Sequence, residues 1–415
     1  MTKTGRLPAY IAERIQRSGL KGKLVPAAVD AEEASCISFH DYMAICLYDE
    51  QDGYYRSGKI RVGKSGDFYT SSSIGTIMGE KLAAYAAALA EKEGGASAME
   101  TGSAEAPLVF MEWGAGTGLL AQQIISAWMK AEHAWLTRAK YVLVDSNPVH
   151  LGEARERLQP LADLTDSPEL GFLPPEEALQ ELRGLKEENQ AKVLVIANEL
   201  LDAFPVHRIA KHNGQLWELG VAAHTNASAG ANESVPHEQE PFRYVYMALT
   251  DPSIGEVLAL DGIELLAGQI TEVNLAAEAW ITQLGELIVR GALILIDYGH
   301  EAAELTAPHR MQGTLLCYKD HMAADRPFMA PGEQDITAHV NFTACRRAAE
   351  AAGWRELYCD TQKQFLIDQG LLHDLMPHDG SDPFGEAARR NRSIRQLLLS
   401  DGMSESFKVM ALKKG

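Results

Sequence analysis

The sequence predicts an α/β fold built on a Rossmann-like, mostly parallel sheet, and three observations predict it. Four continuous apolar runs, at 108–111, 141–144, 193–196 and 292–296, have the length and composition of strands buried on both faces. Helical patterns alternate with them. Each run ends in an acid or amide (Glu112, Asp145, Asn198-Glu199 and Asp297), and open α/β sheets bind ligands at the carboxyl ends of their strands.

Composition sets the outer limits. A chain of 415 residues with 46% hydrophobic and 23% charged residues has room for two or three folded domains. Its formal net charge of −19 opposes association with phosphate backbones and anionic membranes, so no nucleic-acid partner is expected, and no apolar run approaches the ~20 residues of a membrane-spanning helix, so membrane insertion is not expected either. The five cysteines (Cys36, Cys46, Cys317, Cys345 and Cys359) are widely spread with no C-x-x-C pair, so no metal site is expected. They point to a reducing compartment, taken here as the cytoplasm. Met1 to Lys23 is mildly basic, yet Glu13 and the spacing of Leu7, Ile11 and Ile15 read as a folded helix rather than a transit peptide.

The remaining elements follow from local pattern. Small and polar residues dominate 94–106 and 222–241, which read as insertions whose packing would not offset their ordering entropy. Around the second, 208–249 reads as a hairpin-like excursion, with Trp217-Glu218-Leu219 and Tyr244-Val245-Tyr246 alternating at strand period. The spacing of Val273, Ala276, Trp280, Leu284 and Leu287 predicts a helix over 272–290. A helix at 344–352 follows, and β-like runs at 355–358 and 407–412 would close the sheet as an antiparallel hairpin.

The first strand turns into a helix through Glu112-Trp113-Gly114-Ala115-Gly116-Thr117-Gly118. This is G-x-G-x-G; the dinucleotide fingerprint would need its third glycine at Leu119, which argues against a nicotinamide or flavin enzyme. No Gly-Lys-Ser/Thr follows, so a polyphosphate clamp is absent as well. Asp145 ends the second strand, where a ribose-binding carboxylate stands in nucleoside-binding α/β folds; its alternative role is to cap the turn at Ser146-Asn147-Pro148. Together these features select a nucleoside ligand without a polyphosphate, of which S-adenosylmethionine is the commonest. Gly114 and Gly116 would let backbone approach it, Asp145 would take the ribose hydroxyls, and Glu112 would hold either the loop or the ligand's amino group.

At this point the chain resembles the MidA-like family of S-adenosylmethionine-dependent methyltransferases. The likeness is carried by Phe39-His40-Asp41-Tyr42-Met43, Gly66-Asp67-Phe68-Tyr69-Thr70-Ser71, the glycine loop, Asn198-Glu199-Leu200-Leu201-Asp202, Asp297-Tyr298-Gly299 and the stretch from Gly332 to Phe342. Ser72 departs from the proline that the family often has after Thr-Ser. The resemblance implies a seven-stranded class I methyltransferase sheet with an N-terminal helical cap region and an insertion in the core. It divides the chain into an N-terminal helical region and cofactor lid at 1–106, a cofactor core at 107–300 with its insertion at 206–270, and a C-terminal part at 301–415 that completes the sheet and the substrate side. It also implies that Gly66, Asp67, Phe68, Thr70 and Ser71 fold over the cofactor, and that Asn198 lies beside it. A capped helix start at 70–73 is the local alternative for the Gly66 segment. For the substrate it implies an arginine side chain of a protein, a respiratory-complex subunit being one candidate partner.

Arginine is a poor nucleophile because its guanidinium keeps its proton, with a pKa above ~12. A carboxylate pair gripping it would localise charge and help disperse the proton, and Glu199 and Asp202 are the sequence's candidates. For Asp202 a helix cap before Ala203 is the alternative. His339 is the candidate histidine, with Asp335 four residues earlier placed to orient it on a helical turn. Two other functions compete: a small-molecule O- or N-methyltransferase, and an assembly factor that binds a partner and keeps only the cofactor fold. A base-modifying enzyme is disfavoured because Asn198-Glu199-Leu200-Leu201 stands where a base-stacking Asn/Asp-Pro-Pro-Tyr/Phe would.

Overall fold

The computed structural model describes residues 5–25, 33–56, 75–91, 107–188, 191–224, 240–319, 322–378, 382–399 and 406–415. The chain divides into two compact units that are not contiguous in sequence. One draws on Met1–Lys59, Asp202–Glu278 and His300–Ala344, the other on Ile60–Leu201, Ala279–Gly299 and Cys345–Gly415. The three consecutive blocks expected from the sequence cut across this division, because N-terminal strands and strands of the core insertion share one sheet.

The second unit contains the large sheet. Along its main path the strands are β1 (Leu108–Trp113), β2 (Ala139–Val144), β3 (Glu169–Leu173), β4 (Lys192–Asn198), β5 (Gly291–His300), β6 (Arg355–Thr361) and β7 (Phe407–Lys414), and they run in the order β6-β7-β5-β4-β1-β2-β3. Neighbours among β1 to β5 are parallel, whereas β7 is antiparallel to both β5 and β6. This is the class I methyltransferase arrangement, with the C-terminal hairpin that the late β-like runs predict. The strand order reverses between β1 and β4, and the crevice beyond their carboxyl ends is where such sheets take ligands.

Apolar burial explains why these segments form strands and helices. Helix Leu119–Lys130 buries Leu120, Ala121, Ile124, Ile125 and Trp128, a single face at helical spacing. Trp128 lies 4.4 Å, centroid to centroid, from the ring of Phe110 on β1, and its indole N–H donates to the Ala83 carbonyl at 2.8 Å. The polar edge of the indole is thereby satisfied inside the core. Phe110 is fully buried, so truncation to alanine would cost about 3–5 kcal/mol.

The first unit is built on an antiparallel sheet. Its strands follow the order Ile270–Val273, His207–His212, Gln215–Ala223, Phe242–Met247, Lys21–Leu24 and Glu33–Ser35, with Ile37–Ser38 also paired to Gln215–Ala223. The excursion expected around the insertion is therefore a strand pair, with Leu219 opposite Tyr246. Helix Arg6–Arg17 buries Leu7, Ile11 and Ile15 as their spacing predicts. Two expectations need correction. The N-terminal region is not only helical, since it supplies three strands of two to four residues, too short to show a period in sequence. The helix expected over 272–290 begins only at Leu275: Val273 ends a strand, and Asn274 Oδ1 accepts the Ala277 N–H at 2.9 Å and caps the helix Leu275–Leu287.

The segments 94–106 and 66–71, and most of 222–241, lie outside the described residues. No helix among the described residues is long and apolar enough to cross a membrane.

Candidate active site

The glycine loop leaves β1 in a conformation that side chains resist. Gly114 has φ +71° and Gly116 φ +52°, both in the left-handed region. A Cβ on Gly114 would come within 3.1 Å of Leu200 Cδ1, so the loop lies tight against the turn after β4. A Cβ on Gly116 would meet nothing within 4 Å. The loop is anchored to β2 by the Gly114 and Ala115 N–H groups, which donate to the Val144 carbonyl at 2.9 and 3.1 Å.

Asp145 holds the same loop. Its Oδ2 accepts the Gly116 N–H at 2.9 Å and its Oδ1 accepts the Asn147 N–H at 2.8 Å. The second bond forms the turn that the local reading of Asp145 anticipates. Asn147 then accepts the Val149 N–H at 2.9 Å and caps the helix Pro148–Ala162. Each carboxylate oxygen still has a second lone pair, so these bonds leave acceptor capacity for ribose hydroxyls.

Glu112 points into the core. It is 3% exposed, and the Tyr141 hydroxyl donates to its Oε2 at 2.7 Å. Burial, reinforced by the charge of nearby Asp145, pushes its carboxyl up from an ordinary 4.5 to about 8, although the tyrosine bond pulls the other way. Of the two roles expected for it, this geometry matches a support beneath the loop.

The turn after β4 is the most constrained part of the site. Asn198 ends the strand and its Nδ2 donates to Glu199 Oε1 at 3.1 Å, a contact that fixes the amide orientation. Glu199 has φ +53°, unusual for a residue with a side chain, and its N–H donates to the Ile296 carbonyl of β5 at 2.8 Å. Next to it, Asp297 is 2% exposed and its Oδ2 accepts the N–H groups of Leu200 and Leu201 at 3.2 and 2.8 Å. Sequence reasoning left Asp297 out of the site. Its place at a strand end in line with Glu112, Asp145 and Glu199 was the available signal.

Asp202 and His339 belong to the first unit. Asp202 is 7% exposed and is the middle residue of the single 3₁₀ turn Leu201–Ala203, which is not a cap position. Its carbonyl accepts the Ala338 N–H at 3.0 Å; burial raises the phenol pKa values of Tyr55 and Tyr318, and the Asp202 charge adds to both. The helical turn expected between Asp335 and His339 does not exist. Asp335–Thr337 is a strand, and Asp335 Oδ1 accepts the Tyr55 hydroxyl at 2.8 Å and the Ile336 N–H at 2.9 Å. His339 is held instead through its backbone N–H, which donates to Thr314 Oγ1 at 3.0 Å. Burial, with the positive fields of His300 and Arg310, lowers its pKa to about 4, so it is neutral at physiological pH. Gly66, Asp67, Phe68, Thr70 and Ser71 lie outside the described residues.

These strand ends fit a nucleoside bearing an amino acid. There is open space before Gly116, a carboxylate at Asp145, and two buried polar atoms, His150 Nε2 and Asn198 Oδ1, that find no hydrogen-bond partner among the described residues. His150 was not foreseen from sequence; its Nδ1 lies 3.4 Å from Asp145 Oδ1. No group of three or more potential metal-ligating side chains occurs among the described residues.

Comparison with known proteins identifies the ligand that this architecture serves. A family described as "Putative S-adenosyl-L-methionine-dependent methyltransferase" matches residues 96–359. A crystal structure from Burkholderia thailandensis bound to S-adenosyl-homocysteine is 27% identical and covers 99% of this chain and 92% of its own, with a TM-score of 0.76. The Drosophila melanogaster protein arginine methyltransferase NDUFAF7 homolog, mitochondrial, is 28% identical over 90% of this chain and 81% of its own length. The Homo sapiens protein arginine methyltransferase NDUFAF7, mitochondrial, is 25% identical over 91% of this chain and 80% of its own. The cytoplasmic placement expected from the sequence is overturned by these relatives, which are named mitochondrial. With a seven-strand path in class I order, a left-handed glycine loop and a family match over more than half of its length, the chain belongs to the S-adenosyl-L-methionine-dependent methyltransferases.

Proposed function

We propose that this methyltransferase acts on an arginine side chain of a protein substrate, with Glu199 as the carboxylate that receives the guanidinium. The observation that carries this reading is Glu199 itself, held at φ +53° at the carboxyl end of β4 beside the strand-order reversal. The relatives named as protein arginine methyltransferases, which match about nine-tenths of the chain, support the substrate class.

S-adenosylmethionine supplies an electrophilic methyl group on a sulfonium. Gly114 and Gly116 admit the cofactor close to backbone, Asp145 accepts its ribose hydroxyls while bracing the loop, and Asn198 offers its unpartnered amide oxygen. Glu199 accepts N–H bonds from the guanidinium, which orients one nitrogen for in-line attack and concentrates positive charge on the other two. As the new N–C bond forms and the C–S bond breaks, the attacked nitrogen sheds one proton. Glu199 is the acceptor within reach on the way to solvent, and the methylated guanidinium keeps its single charge. Asp202, three residues further along the chain, is the proposed second carboxylate.

The test is Glu199→Gln, which keeps size and an acceptor but removes the charge. Transfer of labelled methyl groups to protein arginine should fall by roughly two to four orders of magnitude while cofactor affinity is retained. Near wild-type transfer, or a labelled methyl group on oxygen, carbon or a small metabolite, would overturn the arginine reading.

A further inference from the structure

We infer that Asp297 is a positioning residue for methyl transfer, acting as the clamp that keeps Glu199 in its left-handed conformation. This rests on the proposed role of Glu199. A residue with a side chain at φ +53° is unfavourable by local energetics and persists only where its surroundings over-determine it. Those surroundings are specific. On one side the Glu199 N–H is tied to Ile296; on the other, the next two N–H groups, from Leu200 and Leu201, converge on the single oxygen Asp297 Oδ2. Asp297 is itself fixed, since its Oδ1 accepts its neighbour's N–H, from Tyr298, at 2.9 Å. A carboxylate can accept all three donors, because it carries about four lone-pair sites and no proton. Asparagine would present an N–H₂ group to one set of donors. The chain therefore turns at Glu199 because β5 ends in an acid, and the direction of the Glu199 side chain is set from β5 as well as from β4.

The clamp also reaches the glycine loop. Leu200, whose N–H it holds, is the residue that lies against Gly114. Asp297 nevertheless makes no contact with reacting atoms in this account, so its signature must be an effect that passes through Glu199.

The experiment uses the full chain carrying Asp297→Asn, Glu199→Gln and both together. It reads the maximal initial rate of tritiated methyl transfer from S-adenosylmethionine into protein arginine of a host-cell lysate lacking the endogenous protein, with S-adenosylhomocysteine affinity measured by calorimetry. Asp297→Asn should lower the maximal rate about 100-fold, the scale of a small misplacement of a reacting group, with cofactor affinity retained. In the Glu199→Gln background it should lower the rate no further, because the group it positions is already disabled. An Asp297→Asn effect that persists undiminished in that background overturns the clamp and leaves the arginine reading standing. A Glu199→Gln enzyme at wild-type rate removes that reading instead. If Asp297→Asn does not fold alone, Asp297→Asn with Glu199→Gly decides: glycine adopts φ +53° without strain, so the double variant should fold, and its failure to fold overturns the inference.

Discussion

Replacing Glu112 with glutamine should stabilise the protein, and by an amount that grows with pH. The folded state holds this carboxyl at about 8 because the charged form would sit buried at 3% exposure beneath the glycine loop, whereas the unfolded chain returns it to an ordinary 4.5. Between those values the folded state binds a proton that the unfolded state has released. The contribution is fully present below pH 4.5, declines by about 1.4 kcal/mol per pH unit, and is lost once pH has passed 8. Glutamine keeps an acceptor for the Tyr141 hydroxyl and does not titrate. Its second amide hydrogen adds a cost of its own, but that offset is the same at every pH. Urea denaturation of the two proteins between pH 5 and pH 8 should show the stability difference shifting toward the variant by about 3 kcal/mol, then levelling off. A difference that stays flat over this range would refute the reasoning and mean that the Glu112 carboxylate is ionised and hydrated or paired. Repeating the series with S-adenosylhomocysteine separates the two roles expected for Glu112. A support beneath the loop keeps its pH dependence, while a direct partner of the ligand's ammonium loses it, because a nearby cation favours the charged form.

Asp145→Ala should weaken cofactor binding and also destabilise the apo protein by about 1–3 kcal/mol, since the Gly116 and Asn147 N–H groups lose their acceptor. Calorimetry and urea midpoints measure the two effects, and loss of neither would remove Asp145 from the site. Asp202→Asn should reduce methyl transfer by about 100-fold as loss of a preorganised charge. Unchanged turnover, with Tyr55 and Tyr318 ionising at lower pH in a spectrophotometric titration, would assign Asp202 to local electrostatics alone. The His339 ring signals in NMR should not shift between pH 5.5 and 8. The same group should make stability fall as pH drops from about 6.5 to about 4, because the unfolded chain takes up the proton first; a midpoint near 6.5 in the folded state would contradict its burial.

The parallel core of the large sheet and its closing hairpin were legible in the sequence because strands buried on both faces are written as unbroken apolar runs. So was the cofactor loop, whose glycines mark backbone that other residues resist. The short N-terminal strands were not legible. Lys21–Leu24 and Ile37–Ser38 are too short to show a repeating pattern, and they pair with Phe242–Met247 and Gln215–Ala223, which lie far along the chain and offer them an edge. His339 shows the same limit. A four-residue spacing from Asp335 reads as one helical turn, but pairing with Leu316–Lys319 draws Asp335 into a strand and gives its carboxylate to Tyr55.

By itself, the sequence determined which chemical groups stand at the strand ends, since an acid or amide after each apolar run is a local fact. Only the tertiary structure decided what each group does there. Burial beside Tyr141 raised the carboxyl pKa of Glu112. Two donors from the β4 turn made Asp297 a clamp, and the αL conformation that it faces sets the direction of the Glu199 side chain. The division follows from physics: residue type fixes what a side chain can donate, accept or ionise. Its protonation and direction depend on neighbours that the chain brings together from far along its length.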